Sequence, residues 1–507
     1  MDSPLNIFPY PVETNHIFAG TRGIVLDILF KFSEYFNMVH LDKYKRGMTI
    51  LNDFLSNISG VVWGPVLLIL LVGTGIYLTL RLGFLQFKSL PYALKLAFKP
   101  GQKKRKNEKG DISHYQALTT ALAATIGTGN IAGVATAVVL GGPGAVFWMW
   151  ITAVFGMATK YAEAVLAVKY RVEGKNGEMS GGPMYYLSRG LKMKWLGQPL
   201  GMLFAVFGAI AAFGIGNMVQ SNSVSDVMQG TFNVPTWVTG IILTLLAGLV
   251  LLGGIKSIGK VTAFFVPVMA LFYVIGALII LVLNYNLIIP AFETILTDAF
   301  TASAVGGGIL GTVIRYGVAR GVFSNEAGLG SAPIAAAAAR TDYAGRQALV
   351  SMTQVFIDTI IVCTMTGLTI VMADQYTGGL DGADLTSASF AIFLGDVGSY
   401  IVAIGLVFFA FSTIVGWSYY GEKCFGYITG QRGIGIYKSV FVLFVLVGAV
   451  SQLDTVWIFA DIMNGLMAFP NLIGLLLLSG VVVSETNKFL KVAKKERQQE
   501  KEAKQAG

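Results

Sequence analysis

Two apolar stretches of this chain carry glycine-rich polar segments whose backbone could bind a small zwitterion. The first holds Gly127-Thr128-Gly129-Asn130 at its centre, and the second holds Phe323-Ser324-Asn325-Glu326-Ala327-Gly328-Leu329-Gly330. Gly and Asn are weak helix formers, so each stretch predicts a helix that is interrupted at mid-depth. In the second stretch, Pro333 adds a further break. Freed N–H groups at the start of a half-helix attract a carboxylate. Freed carbonyls with nearby hydroxyl or amide oxygens suit a hard cation such as sodium.

The composition places these stretches in a membrane. Of the 507 residues, 54% are hydrophobic and 13% are charged, whereas an ordinary soluble domain carries about 25% charged residues. No soluble fold of this length covers so much apolar surface. Two cysteines and three histidines, all far apart, disfavour a disulfide framework, a metal cluster or a hydrolase centre.

Hydropathy predicts eleven membrane spans, because each needs about 20 mainly apolar residues. A first span, named span A, covers 61–82. Spans 1 to 10 are predicted at 115–140, 143–170, 198–228, 235–253, 259–284, 306–340, 346–373, 393–425, 433–451 and 454–483. The connections alternate between basic ones, such as 83–114, and ones without Lys or Arg, such as 374–392. The positive-inside rule then predicts an outer N-terminus and a cytoplasmic C-terminus, so the net charge of +9 indicates topology rather than nucleic-acid binding.

The interrupted spans 1 and 6 lie at matching positions of two sets of five, which is typical of inverted-repeat transporters. The predicted fold is therefore an all-α polytopic membrane protein with a 5+5 inverted-repeat core and one extra N-terminal helix. We divide the chain into an N-terminal extension (1–60), a transmembrane domain (61–484) and a basic tail (485–507). Residues 17–40 could form an interfacial helix or a signal-like segment, and the helix is favoured because a long apolar core and a small-residue cleavage site are lacking.

Several of these residues have a second interpretation. Gly129 and Gly133 form a small-xxx-small pair, which also serves close helix packing. The hydroxyls of Ser412 and Thr413 could bond back to their own helix, and Phe323 and Trp417 could be packing aromatics. Glu326 could support the unwound backbone, paired with Arg320, or could neutralise a cation or carry a proton. Asn325 could cap the half-helix or bind a ligand, and Lys160 and Glu163 are interpreted as charges at the cytoplasmic end of span 2. The dinucleotide-like pattern at 127–132 is rejected because no strand precedes it and it lies in a membrane span. The P-loop-like pattern at 254–260 is rejected because Val261 replaces the magnesium-binding Ser/Thr and the segment is a short loop between spans.

Four segments carry a family resemblance: TIGTGNIAGVATA, GNMVQSNSVSDVM, RGVFSNEAGLGSAP and FSTIVGWSYYGEKC. They resemble the alanine or glycine:cation symporter family, over about residues 50–480. The resemblance implies the inverted-repeat fold of the amino acid–polyamine–organocation superfamily. It also implies sodium-driven uptake of alanine or glycine across the plasma membrane of a prokaryote.

The resemblance also implies roles for individual residues. The span 1 backbone from Thr125 through Gly127, Thr128 and Gly129 to Asn130 would hold the substrate carboxylate, and Gln220 its ammonium. Phe323, Thr413 and Trp417 would close a pocket that admits a methyl group or less. Ser412 and Thr413 would bind sodium with span 1 carbonyls, Asn130 and Asn325 would serve a second ion, and Glu326, Gly328 and Gly330 would support the break in span 6.

Other classes of protein are disfavoured. A channel filter would require a repeated loop, and an intramembrane enzyme would require a nucleophile–base or metal constellation that the sequence lacks. The alternative within the transporter class is a proton-coupled carrier of another small neutral amino acid. Sodium is favoured because no Lys lies at mid-depth in span 5, where proton-coupled relatives of the superfamily can place one. We expect no cofactor besides sodium, no nucleic-acid partner, and a functional monomer in the bilayer.

Overall fold

A computed structural model of the chain describes residues 51–98, 108–174, 177–300, 311–451 and 454–505. The chain divides into a unit of residues 1–56, described from residue 51 onward, and a unit of residues 57–507. The interfacial helix predicted near 17–40 lies outside the described residues. Almost all of the described chain is helical, as its long apolar runs predict.

The first set of helices contains the predicted span A and spans 1 to 5. These helices are α1 (Pro65–Arg81), α2 (Leu85–Phe98), α3 (His114–Thr125), α4 (Val134–Gly141), α5 (Ala145–Lys169), α6 (Pro183–Gly190), α7 (Lys194–Phe213), α8 (Val219–Phe232), α9 (Thr236–Leu252) and α10 (Gly254–Leu283). A π-helical turn, Gly129–Gly133, precedes α4, and another, Gly214–Met218, joins α7 to α8. Two short antiparallel strands, β1 (Val172–Glu173) and β2 (Met179–Ser180), lie between α5 and α6.

The second set contains spans 6 to 10. These helices are α11 (Ile288–Ala299), α12 (Thr312–Asn325), α13 (Pro333–Ala337), α14 (Ala344–Val355), α15 (Thr364–Ala373), α16 (Gly382–Leu394), α17 (Asp396–Thr429), α18 (Ile434–Val450), α19 (Asp454–Leu477) and α20 (Ser479–Gln505). A one-turn 3-10 helix, Tyr285–Leu287, precedes α11, and the π-helical stretch Phe356–Cys363 joins α14 to α15. The predicted boundary between transmembrane domain and tail, at 484/485, lies within α20.

Within the described residues, seven helices are long and apolar enough to cross a membrane, or eight if the bent pair α3 and α4 counts as one span. The apolar helices α9 and α18 are shorter, at 17 residues each. The predicted number of eleven spans therefore stays a prediction.

Two long helices organise the packing around the interrupted spans. Helix α5 packs against α12 and α14, and α17 packs against α3, α7, α8 and α10. Close contact depends on small residues: a side chain at Gly416 of α17 would come within 3.0 Å of Ala124 in α3. Local capping fixes where α3 begins, because Ser113 and Gln116 form a capping box at its first turn.

Candidate functional site

The interruption in span 1 lies at Ile126 and Gly127, slightly before the centre of the predicted segment. Helix α3 ends at Thr125, whose hydroxyl donates back to the Ala121 carbonyl (3.0 Å). The two halves of the span are bent by 57°. The predicted interruption is thus present, although Asn130 lies in the π-helical turn rather than in unwound chain.

Side-chain amides cap the N–H groups that the interruption frees. The Gly127 N–H donates to Asn130 Oδ1 (2.9 Å), and the Thr128 N–H donates to Gln220 Oε1 (3.3 Å). Gln220 Nε2 donates in turn to the Thr128 hydroxyl (3.2 Å) and the Ile215 carbonyl (2.9 Å). Gln220 is therefore tied to the start of the second half-helix, where a carboxylate would also bind.

Gly127 lies where spans 1, 3 and 8 meet. A Cβ at this position would come within 3.0 Å of Thr413 Oγ1 and lie 3.2 Å from Gln220 Oε1. At Gly129, a Cβ would lie 3.3 Å from the Phe323 ring. The structure thus brings Gly127, Gln220 and Thr413 together and places Gly129 against Phe323.

Two hydroxyls of α17 face carbonyls at the end of α3. Ser412 Oγ lies 3.0 Å from the Ala123 carbonyl oxygen and 3.4 Å from the Ile126 carbonyl oxygen. Thr413 Oγ1 lies 3.1 Å and 3.5 Å from the same two oxygens. All four oxygens belong to neutral, buried groups, which is a donor set that a hard monovalent cation accepts. Both hydroxyls also reach the Phe409 carbonyl of their own helix, at 2.8 Å and 3.0 Å.

The interruption in span 6 runs from Glu326 to Ala332. Glu326, Gly328 and Gly330 all have positive φ (56°, 94° and 86°), which ends α12 and turns the chain. Pro333 does not add the predicted second break: it occupies the first turn of α13, where a missing N–H costs nothing. Asn325 caps this turn, since its Oδ1 accepts from the Ala327 N–H (2.9 Å).

Charged side chains of α5 hold the unwound part of span 6. Lys160 Nζ donates to the Glu326 carbonyl (2.9 Å), and Glu163 Oε1 accepts from the Gly328 N–H (3.1 Å). Asn471 Nδ2 of α19 bridges Glu163 Oε1 (2.6 Å) and the Gly328 carbonyl (2.8 Å). The interpretation of Lys160 and Glu163 as helix-end charges is therefore wrong, because both are fully buried against this interruption.

The Glu326 carboxylate lies within its own turn. Its Oε2 accepts from the Ser331 hydroxyl (2.5 Å), so it supports the unwound backbone. The predicted pairing of Glu326 with Arg320 is wrong, because Arg320 faces Asp461 at 3.7 Å. Arg320 lies about one turn before Phe323 on α12.

A cavity of about 380 Å³ lies beside Phe323 and is lined by Arg320, Asp461 and Trp457. Phe323 stacks on Trp457 with ring centroids 6.3 Å apart, and the Arg320 guanidinium lies 5.5 Å from the Phe323 ring. Phe323 therefore lies beside both this cavity and Gly129. Trp417 packs against Tyr420 (ring centroids 5.6 Å apart) and Gly216 of span 3, and its side chain hydrogen-bonds the Glu326 carboxylate.

A buried carboxylate that the sequence analysis did not single out lies between the two interruptions. Asp358, in the π-helical stretch, accepts at Oδ1 from Asn130 Nδ2 (2.8 Å). Its Oδ2 accepts from the hydroxyls of Ser324 and Thr359 (both 2.8 Å). The signal that could have identified Asp358 is a lone acid in the apolar run of span 7, since an intramembrane charge marks a functional site by default.

Comparison with known proteins shows which family the chain belongs to. A sequence model of the sodium:alanine symporter family matches residues 48–504. The sodium/alanine symporter AgcS of Methanococcus maripaludis is 62% identical over 451 residues, which cover 88% of this chain and 99% of the relative. The chain belongs to the sodium:alanine symporter family. The predicted resemblance is thus confirmed.

Family members carry different substrate names. The probable sodium/glutamine symporter GlnT of Bacillus subtilis is 38% identical to this family member over 435 residues, covering 85% of this chain and 89% of the relative. Among solved structures, the complex of MhsT with L-phenylalanine matches with a TM-score of 0.55 at 14% identity, over 75% of this chain and 93% of MhsT. That likeness confirms the predicted fold class, whereas the number of eleven spans stays a prediction.

Proposed function

We propose that the chain is a sodium-coupled symporter that imports alanine and glycine by alternating access. The observation that carries the proposal is the set of four oxygens from Ser412, Thr413, Ala123 and Ile126 at the interruption of span 1. Family membership and the name of the relative at 62% identity support both the ion and alanine. In this proposal sodium joins span 1 to span 8, and substrate binds on the other side of the same interruption.

The substrate carboxylate would replace the amide caps on Gly127 and Thr128. Both N–H groups now donate to neutral side chains, and a carboxylate makes stronger, charge-assisted hydrogen bonds with the same donors. The Gln220 oxygen that is released would then accept from the substrate ammonium. Phe323 and Thr413 limit the space for a side chain beside Gly127 and Gly129, which supports glycine and alanine over larger amino acids.

For a second cation, we propose Asn130 together with Asp358 rather than with Asn325. Asp358 is a buried anion whose hydrogen-bond donors are all neutral, so a cation beside it would balance its charge. Asn130 donates directly to Asp358, whereas the Asn325 amide accepts from the Ala327 N–H and donates to Thr359 Oγ1 (3.1 Å). Asn325 is therefore assigned to support of the turn, together with Glu326.

Sodium coupling is energetically sufficient for uptake. One sodium ion that crosses about 100 mV releases roughly 2.3 kcal/mol, which supports close to 40-fold accumulation at about 1.4 kcal/mol per decade. We place the protein in the plasma membrane with its C-terminus in the cytoplasm, as the charge distribution predicts. We further propose that a monomer is active and that no cofactor besides sodium is needed.

The proposal is tested by uptake of labelled alanine into proteoliposomes, with sodium replaced by potassium or choline at fixed pH. We expect uptake to collapse without sodium and to be competed by glycine but not by leucine. Uptake that is independent of sodium and follows an imposed pH gradient would refute the sodium assignment and favour the proton-coupled alternative.

The ion site is tested by Ser412→Ala and Thr413→Val. Each removes one oxygen from the cation, and a hydrogen-bonding contact to a charge is worth about 1.5–3 kcal/mol, so the sodium concentration for half-maximal uptake should rise about 10- to 150-fold. Ser418→Ala is the matched control, because this buried hydroxyl of α17 donates to the Val415 carbonyl (2.7 Å) of its own helix and, among the described residues, makes no hydrogen bond to span 1. Equal sodium dependence in all three variants would contradict the site.

A further inference from the structure

A second cavity, of about 680 Å³, lies far from the interrupted spans, between α2 and α20 beside the end of α1. Three cationic side chains line it, namely Lys88, Lys494 and Arg497. Its apolar walls come from Leu82, Leu85 and Leu490, and none of its lining residues is acidic. It therefore combines a concentrated positive charge with an apolar floor.

The acids near this cavity are committed to other partners. Glu485 of α20 pairs with Lys169 and Lys488 (both 2.9 Å). Glu496, which neighbours Arg497 in sequence, pairs with Arg346 of α14 (3.0 Å). Among the described residues, no carboxylate lies within 4.0 Å of the three cations that line the cavity. Their charge is thus available to an anion from outside the chain.

The guanidinium of Arg497 is held in place by an aromatic ring. It lies 3.6 Å from the ring centroid of Tyr92 on α2, which is close cation–π stacking. Stacking uses the face of the guanidinium and leaves its N–H groups in the plane for hydrogen bonds. Planar N–H donors that are fixed in this way suit the oxygens of a phosphate.

The cavity lies where a membrane span ends. Helix α1 has Arg81 in its last turn, and the chain that follows exposes Phe84 (46%) and Phe87 (55%). Exposed aromatic side chains directly after an apolar span indicate contact with lipid, so the adjoining cations lie near headgroup level. Basic pockets between helices at this level are suited to anionic lipid headgroups.

From this geometry we propose that the cavity between α2 and α20 binds the phosphate of an anionic phospholipid. The lipid belongs to the leaflet where α1 ends, which the charge distribution predicts to be the cytoplasmic one. Its phosphate contacts Lys88, Lys494 and Arg497, and its acyl chains lie along Phe84 and Phe87. The bound lipid joins α2 to α20, the helix whose Glu496 and Phe489 contact Arg346 at the start of span 7.

The test uses the full-length protein in mild detergent, titrated with phosphatidylglycerol or phosphatidylcholine and analysed by native mass spectrometry. We expect one phosphatidylglycerol to be retained at a concentration at least tenfold below that needed for phosphatidylcholine. The variant Lys494→Ala/Arg497→Ala should weaken this binding about 25-fold, at about fivefold for each cation near the membrane surface. Lys491→Ala/Lys495→Ala is the matched control, because it removes the same charge from exposed positions of α20 that do not line the cavity.

The double variant changes two residues of α20 and could alter the packing of that helix. Lys88→Ala tests the same cavity independently, because Lys88 lies on α2. It should weaken phosphatidylglycerol binding about fivefold. Equal retention of phosphatidylglycerol by wild type and both double variants would overturn the proposal in favour of a diffuse basic surface. Inorganic phosphate that displaces phosphatidylglycerol at low millimolar concentration would overturn the lipid assignment and indicate a site for free phosphate.

Discussion

Gly127→Ala tests whether the interruption of span 1 is a binding site or a packing contact. The added methyl group would come within 3.0 Å of Thr413 Oγ1 and lie 3.2 Å from Gln220 Oε1. Thr413 is β-branched and cannot turn away without losing the Ala123 and Ile126 carbonyls. We therefore expect a single methyl group to disturb the sodium site and the substrate site together.

The size of the effect follows from the cost of overpacking. An extra methyl group in a well-packed interior costs about 1–3 kcal/mol, which corresponds to about a 5- to 150-fold change in an equilibrium constant. The KM for alanine and the half-maximal sodium concentration should both rise within this range in proteoliposome uptake. The protein should still fold, because the strain is confined to two side-chain contacts, with Thr413 and Gln220.

Gly133→Ala is the matched control in the same span. A Cβ there meets its nearest atom, the Thr128 carbonyl oxygen, at 4.0 Å, so the methyl group fits without displacement. Uptake by Gly133→Ala should stay within about twofold of wild type. Wild-type alanine and sodium dependence in Gly127→Ala would refute the reasoning, and equal losses in both variants would assign the glycines to helix packing alone.

Three further predictions concern buried or paired charges. Asp358→Asn keeps the shape of the side chain but removes its charge, so the sodium Hill coefficient should fall towards one; an unchanged sodium dependence would contradict the second cation site. Lys160 Nζ lies 3.8 Å from Glu163 Oε2, so Lys160→Met leaves Glu163 buried without its cation. This costs about 3–5 kcal/mol and should lower the thermal unfolding temperature, and Glu163→Gln added to it should restore part of the loss. Although burial opposes the shift, hydrogen bonds from two lysines lower the pKa of Glu485 from 4.5, so the ionised form stabilises the fold at neutral pH and this contribution is lost as pH falls below about 4.5. Glu485→Gln should therefore lower the unfolding temperature at pH 7 but not at pH 3.

The interruption of span 1 could be predicted from the sequence, because Gly127 and Gly129 weaken a helix in any context. The observed interruption, at Ile126 and Gly127, lies slightly before the predicted one at 127–130. The sequence alone could not predict this difference. Asn130 does not unwind the chain; its side chain accepts the Gly127 N–H and so caps the half-helix from within the π-helical turn. Asn130 is a weak helix former, but the hydrogen bond that its Oδ1 accepts stabilises the following helix by more than its low helix propensity costs.

The burial of Lys160 and Glu163 could not be predicted, because their hydrogen-bond partners are far away in the sequence. Lys160 precedes the Glu326 carbonyl, its acceptor, by 166 residues, and Asn471 follows Glu163 by 308. Hydropathy alone interprets a charge near the end of a span as one that reaches water, because burial without a partner is costly. The interrupted backbone of span 6 supplies those partners, and their existence depends on the packing of α5 against α12.

The two interruptions therefore differ in how firmly the protein holds them. Span 6 is tied by charge-assisted contacts, from Lys160 to the Glu326 carbonyl and from Glu163 to the Gly328 N–H. Such contacts contribute about 1.5–3 kcal/mol each, whereas hydrogen bonds between neutral groups contribute about 0.5–1.5 kcal/mol. At span 1 the caps on Gly127 and Thr128 are neutral amides, which a substrate carboxylate can displace at little cost. Charged side chains thus hold the backbone of span 6 directly, whereas at span 1 Asp358 contacts the Asn130 side chain and the backbone N–H groups have neutral caps. This difference is why we propose that substrate and sodium bind at span 1.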